Sequence, residues 1–211
     1  ALAGYGIRTI GDLARTDRET LTGILGKQGA TLHDYAAGTE HSPVIPARDM
    51  PGPKSVGSGL TFPRNLTGWE QLGTAAASLA DDVAARLRRH SLMCTTVQVT
   101  IRDPDFRDIC RQKRLEAPTC ISRDIARAAM DLIRASWRPQ APVRALTVTA
   151  QALVEEAQAG EQLSLFAAGA DRRREKRERL ERTMDGIRGR YGKGAISPAC
   201  QAPPPADKES P

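Results

Sequence analysis

Residues 54–154 predict an α+β domain with the order strand, helix, strand, strand, helix, strand, and three observations carry that expectation. Two stretches place apolar residues at three- and four-residue spacing. One holds Trp69, Leu72, Ala76, Leu79, Val83 and Leu87; the other holds Ile125, Ala128, Ala129, Leu132, Ile133 and Trp137. Each is the stripe of an amphipathic helix. Four further stretches, KSVGSGLTF, CTTVQVTIRD, RDICRQKRL and APVRALTVTAQALV, read as strands. The two middle strands are joined by Asp103-Pro104-Asp105, a turn sequence. Two such helices cover one face of a four-stranded sheet, and the βαββαβ element order is ferredoxin-like.

Residues 1–38 predict short helices. Thr9 or Gly11 stands near a helix start with Asp12 in its first turn and Ile10, Leu13 and Ala14 facing inward. Asp17 caps the next helix, which carries Leu21, Ile24 and Leu25, and Gly26 to Gly29 reads as a turn. A last short helix carries Leu32, Tyr35 and Ala36. A core this small does not stand alone. Residues 39–53 are rich in proline and form an extended, stiff linker.

In the central block the first strand puts Val56, Ser58, Leu60 and Phe62 on one face and Ser55, Gly57, Gly59 and Thr61 on the other. The second strand sets Val97, Val99 and Ile101 against Thr96, Gln98, Thr100 and Arg102. The fourth sets Leu146 and Val148 against Ala145, Thr147 and Thr149. The face away from the helices is therefore small, hydroxylic and basic. It lacks aromatic residues, which disfavours base stacking and favours contact with a phosphate backbone. Ser122 reads as the N-cap of the second helix.

Residues 155–211 read as a flexible tail. Its acidic start encloses Gln162-Leu163-Ser164-Leu165-Phe166, an apolar cluster that cannot bury itself and suits docking to a partner. Residues 171–191 form a charged helix with a thin stripe of Leu180, Met184, Ile187 and Tyr191; the stripe either docks or stays solvated, and solvation is the favoured expectation.

The net charge is +6, and residues 54–154 carry 15 basic and 9 acidic side chains. That local excess fits a polyanion, as it fits a well-solvated arginine-rich surface. No apolar run is long enough to cross a membrane, and no signal peptide is expected. The opening Ala1-Leu2-Ala3 reads as the interior of a longer protein. Cys94, Cys110, Cys120 and Cys200 lack zinc-site spacing. The first three are expected to be buried thiols, and a reducing, cytoplasmic setting is expected with them. Asp81-Asp82 and Asp103/Asp105 read as surface and turn residues. His33, His41 and His90 lack ligand or nucleophile partners at useful spacing.

GIRTIGDLA, the proline-rich linker, KSVGSGLTF, the βαββαβ block and QLSLF, in that order, resemble the C-terminal part of Y-family translesion DNA polymerases of the bacterial DNA polymerase IV type. The tail IRGRYGKGAI is similar too. The resemblance implies that residues 1–38 end a thumb domain, that 54–154 are the little finger, and that 155–211 hold a sliding-clamp peptide. It implies DNA contact by Lys54, Ser55, Val56, Gly57, Ser58, Thr61, Lys113 and Arg144; Arg102 and Arg111 join them as residues expected on the open face. Clamp contact is implied for Gln162, Leu163, Ser164, Leu165 and Phe166. The family's Mg2+ and catalytic carboxylates are expected in a palm domain outside this sequence, so no catalytic or metal residue is expected within it. Primer-template DNA and the sliding clamp are the expected partners of a monomer. The alternative is a non-catalytic relative that recruits other polymerases to the clamp.

Overall fold

A computed structural model describes residues 2–46, 49–158 and 168–198, with side-chain surroundings left undescribed for 158 and 168–173. The chain divides into two compact units, Ala1–Pro51 and Gly52–Pro211.

The first unit contains helices α1 (Ile10–Arg15), α2 (Arg18–Leu25) and α3 (Lys27–Ala37) after a short 3-10 turn, Leu2–Tyr5. Thr9 caps α1: its hydroxyl accepts from the Asp12 amide at 3.0 Å, and Asp12 accepts from the Thr9 amide at 3.0 Å. These two bonds form a capping box. The Asp12 carboxyl lies below its usual range because the Arg8 backbone N–H, and then Thr9, donate to it. Asp17 caps α2 by accepting from the Thr20 amide at 2.9 Å.

Two expectations change here. Ile10 points to solvent and Ile7 is the buried isoleucine; α1 is only six residues long, and its first residue overhangs the small core. The turn between α2 and α3 shrinks to Gly26 alone. Gly29, read as part of that turn, is buried within α3 against the Leu21 carbonyl.

The second unit has strands β1 (Ser55–Leu66), β2 (Leu92–Arg102), β3 (Asp108–Thr119) and β4 (Val143–Glu155). Helix α4 (Gly68–Arg89) links β1 to β2, and α5 (Ser122–Ser136) links β3 to β4. The sheet order is β1-β4-β2-β3, antiparallel throughout. β2 and β4 are therefore central, and β1 and β3 are edges. Pro63 in β1 and the charges of β3 make both edges poor templates for a further strand.

The core lies between the sheet and the two helices. Leu72, Ala76, Val83 and Leu87 from α4 and Ile125, Ala129 and Ile133 from α5 meet Val97, Val99, Ile101, Leu146 and Val148. Each large aliphatic side chain fully buried there contributes about 1.5–3 kcal/mol. Leu60, expected to face inward with Val56 and Phe62, is exposed; on the edge strand β1 only Val56 and Phe62 are buried. Cys94 and Cys120 are buried thiols, with burial pushing Cys94 up to about 12 and Cys120 to about 11. Cys110 is exposed, contrary to expectation, because β3 turns it to the uncovered face.

The charged helix α6 (Ala168–Tyr191) is docked on the helix side of the sheet rather than solvated. Its apolar stripe is covered only in part: Leu180 and Tyr191 remain exposed, Met184 and Ile187 are half-buried, and ion pairs supply the close contacts. Arg88 of α4, whose side chain is only 2 % exposed, donates to Asp185 at 2.6 and 3.0 Å, to Glu181, and to the Cys120 carbonyl at 2.8 Å. Arg188 pairs with Asp81 at 2.9 Å, Lys193 pairs with Asp82 at 2.7 Å, and Arg182 pairs with Glu156.

Ser122 is the first residue of α5 rather than its N-cap. Its N–H and hydroxyl donate to the Glu181 carboxylate, the hydroxyl at 2.7 Å. The orphan N–H of a helix start is thus satisfied by a residue 59 positions away. Burial raises Glu181, opposed by the Ser122 hydrogen bonds and the Arg88 charge. For Arg88 burial acts downward, and the bonds and charges of Asp185 and Glu181 overcome it.

Candidate nucleic-acid interface

The register of the four strands builds the uncovered face as four rows. From β1 to β3 they read Ser55, Gln151, Thr96, Arg114; then Gly57, Thr149, Gln98, Gln112; then Gly59, Thr147, Thr100, Cys110; and last Thr61, Ala145, Arg102, Asp108. Strand alternation puts these side chains opposite the helices. The face is a lawn of hydroxyls and amides without an aromatic ring.

Gly57 and Gly59 make this face flat for a reason that strand alternation alone does not reveal. A Cβ on Gly57 would lie 2.9 Å from the Thr149 hydroxyl, and one on Gly59 would lie 2.4 Å from that of Thr147. The two threonines therefore lean across the glycines and present their hydroxyls over β1. The amide of Gln151 donates to Gln98 at 2.8 Å, tying β4 to β2 across the same face.

Of the residues expected to meet DNA, Ser55, Gly57, Thr61 and Arg102 lie on this face. Lys54 is exposed just ahead of β1. Val56 and Ser58 belong to the helix-side register of β1, with Val56 buried. Arg111 and Lys113 pair with Val99 and Val97, so they too stand on the helix side. Arg111 is therefore not a residue of the open face: counting back through the β2–β3 turn puts Arg114, Gln112 and Cys110 outward instead. Lys113 reaches Asp131 of α5 at 3.0 Å. Arg144 donates to the Phe62 carbonyl at 2.5 Å, holding the start of β4 against β1 where their register shifts.

The charge on the face is smaller than its sequence suggests. Arg102 makes a two-pronged contact with Asp108 at 2.7 and 2.8 Å, and its hydrogen bond holds the Asp108 carboxyl below the usual range. Arg114 was missed by sequence reasoning. It is exposed at the end of the first row and makes no ion pair among the described residues. The turn after β2 was the available signal, since it sets the parity of β3.

Three of the four carboxylates singled out in the sequence have structural partners. Asp103 accepts from the Arg107 amide at 2.9 Å within the β2–β3 turn, and Asp81 and Asp82 anchor the α6 region. Among the described residues, no three or more His, Cys, Asp or Glu side chains are grouped so as to hold a metal ion. No helix among them is long and apolar enough to cross a membrane. Gln162, Leu163, Ser164, Leu165 and Phe166 lie outside the described residues, as does Cys200.

A family model described as the impB/mucB/samB family C-terminal domain matches residues 53–165, which span β1 to β4. The chain belongs to this family. It is 40 % identical over 192 residues to the DNA polymerase IV of Acetivibrio thermocellus, covering 90 % of this chain and 47 % of that protein. It is 36 % identical over 191 residues to the DNA polymerase IV of Bacillus velezensis, covering 90 % and 45 %. A third relative, the DNA polymerase IV of Pelotomaculum thermopropionicum, is 32 % identical over 203 residues, covering 96 % and 48 %. The chain spans about half the length of the curated relatives it matches. Its homology to Y-family polymerases of the DNA polymerase IV type extends over most of its length, and the β-domain with its two covering helices is the little finger.

Proposed function

We propose that this chain is the DNA-holding and clamp-docking portion of a translesion DNA polymerase. Template-directed nucleotidyl transfer past damaged bases, with its Mg2+ and catalytic carboxylates, is assigned to the other half of the relatives' length. The reading rests on one observation above all: four rows in which hydroxyl, amide and glycine positions predominate, free of aromatic rings and open on one side of the sheet. Hydroxyls and amides of this kind hydrogen-bond to sugar and phosphate, and such contacts carry no base code. Lys54 and Arg114 add cationic contacts at the two edges. Ser55, Gly57, Thr61 and Arg102 complete the interface, with Arg102 exchanging Asp108 for a phosphate. The little finger grips primer-template duplex without sequence preference, and the chain acts as a monomer in a reducing cytoplasm.

Binding of the chain to duplex DNA is therefore expected to fall with salt. The slope is about 0.9 per neutralised phosphate, so the three cationic residues of the sheet face alone lower the affinity roughly 40-fold between 50 and 200 mM. Fluorescence anisotropy with duplexes of two unrelated sequences measures both quantities. An affinity that ignores salt, or that differs strongly between the two sequences, removes the backbone-tracking assignment.

The QLSLF segment is assigned to the sliding clamp on its sequence: Gln162 at the rim of the clamp's cleft, Leu163, Leu165 and Phe166 within it, and Ser164 between them. An interface this small is weak alone, and tethering on shared DNA raises its effective concentration. Replacing Leu165 and Phe166 together with alanine is expected to weaken retention on the cognate clamp by about 100-fold or more. Unchanged retention in a surface-plasmon assay discards the assignment.

A further inference from the structure

Residues 171–190 carry nine basic and five acidic side chains, and α6 does not distribute them evenly. Successive residues turn by about 100°, so Arg174, Glu178, Glu181, Asp185 and Arg188 share one face. That face is the docked one: Glu181 and Asp185 meet Arg88, Arg188 meets Asp81, and Arg174 reaches both Glu178 and the Pro118 carbonyl. Docking therefore turns three of the helix's carboxylates toward the domain. The opposite face holds Lys176, Arg179, Thr183, Gly186 and Arg190, all exposed. It contains no acidic residue, Glu175 standing at its margin. Lys176, Arg179 and Arg190 make no ion pair among the described residues.

We propose that this outer stripe of α6 is a second nucleic-acid contact, which takes the phosphate backbone independently of the open sheet face. The proposal rests on the reading of the chain as part of a DNA-handling polymerase. Lys176 and Arg190 are fourteen positions apart, about 21 Å along the helix at about 1.5 Å per residue. A duplex of that length carries roughly twelve phosphate charges. Thr183 and Gly186, in the middle of the stripe, are small and let a backbone come close to the helix. The stripe lies on the helix side of the sheet, so it meets a different stretch of nucleic acid from the one on the uncovered face. An acidic protein surface is the competing occupant. Phosphate is favoured because the stripe is a cationic row without apolar anchors at its centre, and protein hot spots depend on such anchors.

The test compares the whole chain with its Lys176→Ala/Arg179→Ala/Arg190→Ala variant. Far-UV circular dichroism and the melting temperature should not change, because the three side chains take no part in docking. The variant is expected to bind duplex roughly tenfold more weakly at low salt, with a salt slope lower by about 2.7, near 0.9 for each phosphate no longer neutralised. An unchanged affinity and slope, with the unsubstituted chain still binding duplex, overturns the stripe and leaves the sheet-face reading standing. Failure of the unsubstituted chain to bind duplex at low salt overturns both. Unchanged duplex affinity with loss of binding to polyglutamate assigns the stripe to an acidic protein and also overturns the proposal.

Discussion

Replacing Arg88 with alanine is expected to destabilise the little finger by about 3–5 kcal/mol and to release α6 from it. The guanidinium is almost fully buried and serves three partners at once: Asp185, Glu181 and the Cys120 carbonyl. Removing it leaves Glu181 in a site that already penalises its charge and leaves the Cys120 carbonyl without this donor. Glu181 also holds the first N–H of α5, so the damage spreads to a second helix. The substitution is thus costlier than deletion of an exposed ion pair, which is worth about 0–1 kcal/mol. Urea denaturation followed by circular dichroism measures the destabilisation, and amide exchange across 174–191 reports the release. A change below about 1 kcal/mol with α6 still protected refutes the account. Replacing Arg88, Glu181 and Asp185 together with apolar residues of similar size is expected to restore most of the stability, because buried charge clusters are often no better than well-packed apolar ones.

The docking of α6 also shows where sequence reasoning stops. Helices α4 and α5 and the central strands β2 and β4 are legible in the chain because each buries one face, and burial imposes a period of 3.6 or 2. Spatial order is not legible that way. That β4 lies between β1 and β2 is set by pairing across many residues, and alternation along a single strand carries no trace of it. The parity of β3 is hidden for a similar reason: one more or one fewer residue in the turn exchanges Arg111 and Lys113 with Gln112 and Arg114. The thin apolar stripe of α6 suggests a helix with little to dock by, whereas its close contacts are ionic. The signal for them lies on α4, where Ala80, Ala84 and Arg88 follow one another at four-residue spacing on a buried row. An arginine in such a row requires carboxylates, and Glu181 and Asp185, four residues apart on a later helix, supply them. The open face is legible on β2 and β4, whose opposite sides are fully buried. It is not legible on the edge strand β3, where Arg111 and Lys113 lie on the covered side without being buried.

Gly29→Ala is expected to unfold the helical unit at residues 2–46 while the little finger stays folded. On intrinsic propensity the change should help, since alanine is better than glycine in a helix by about 1 kcal/mol. Packing reverses the sign. A Cβ at residue 29 would lie 2.0 Å from the Leu21 carbonyl oxygen and 2.7 Å from the Thr22 amide nitrogen. Both are backbone atoms of α2, so no rotamer change relieves the contact, and α3 must move away from α2 as a whole. The unit has little with which to absorb that movement: its large buried side chains are Ile7 and Leu21, and α2 and α3 are joined through Gly26 alone. Overpacking of this kind costs about 3 kcal/mol or more, which a core of two large side chains does not survive. The readout is hydrogen exchange resolved by segment in the full chain. Protection should vanish over 10–37 and persist over 92–102 and 143–155. Retained protection in α3 shows that the two helices can separate without unfolding, and then the close approach at Gly29 is not what fixes the helical pair.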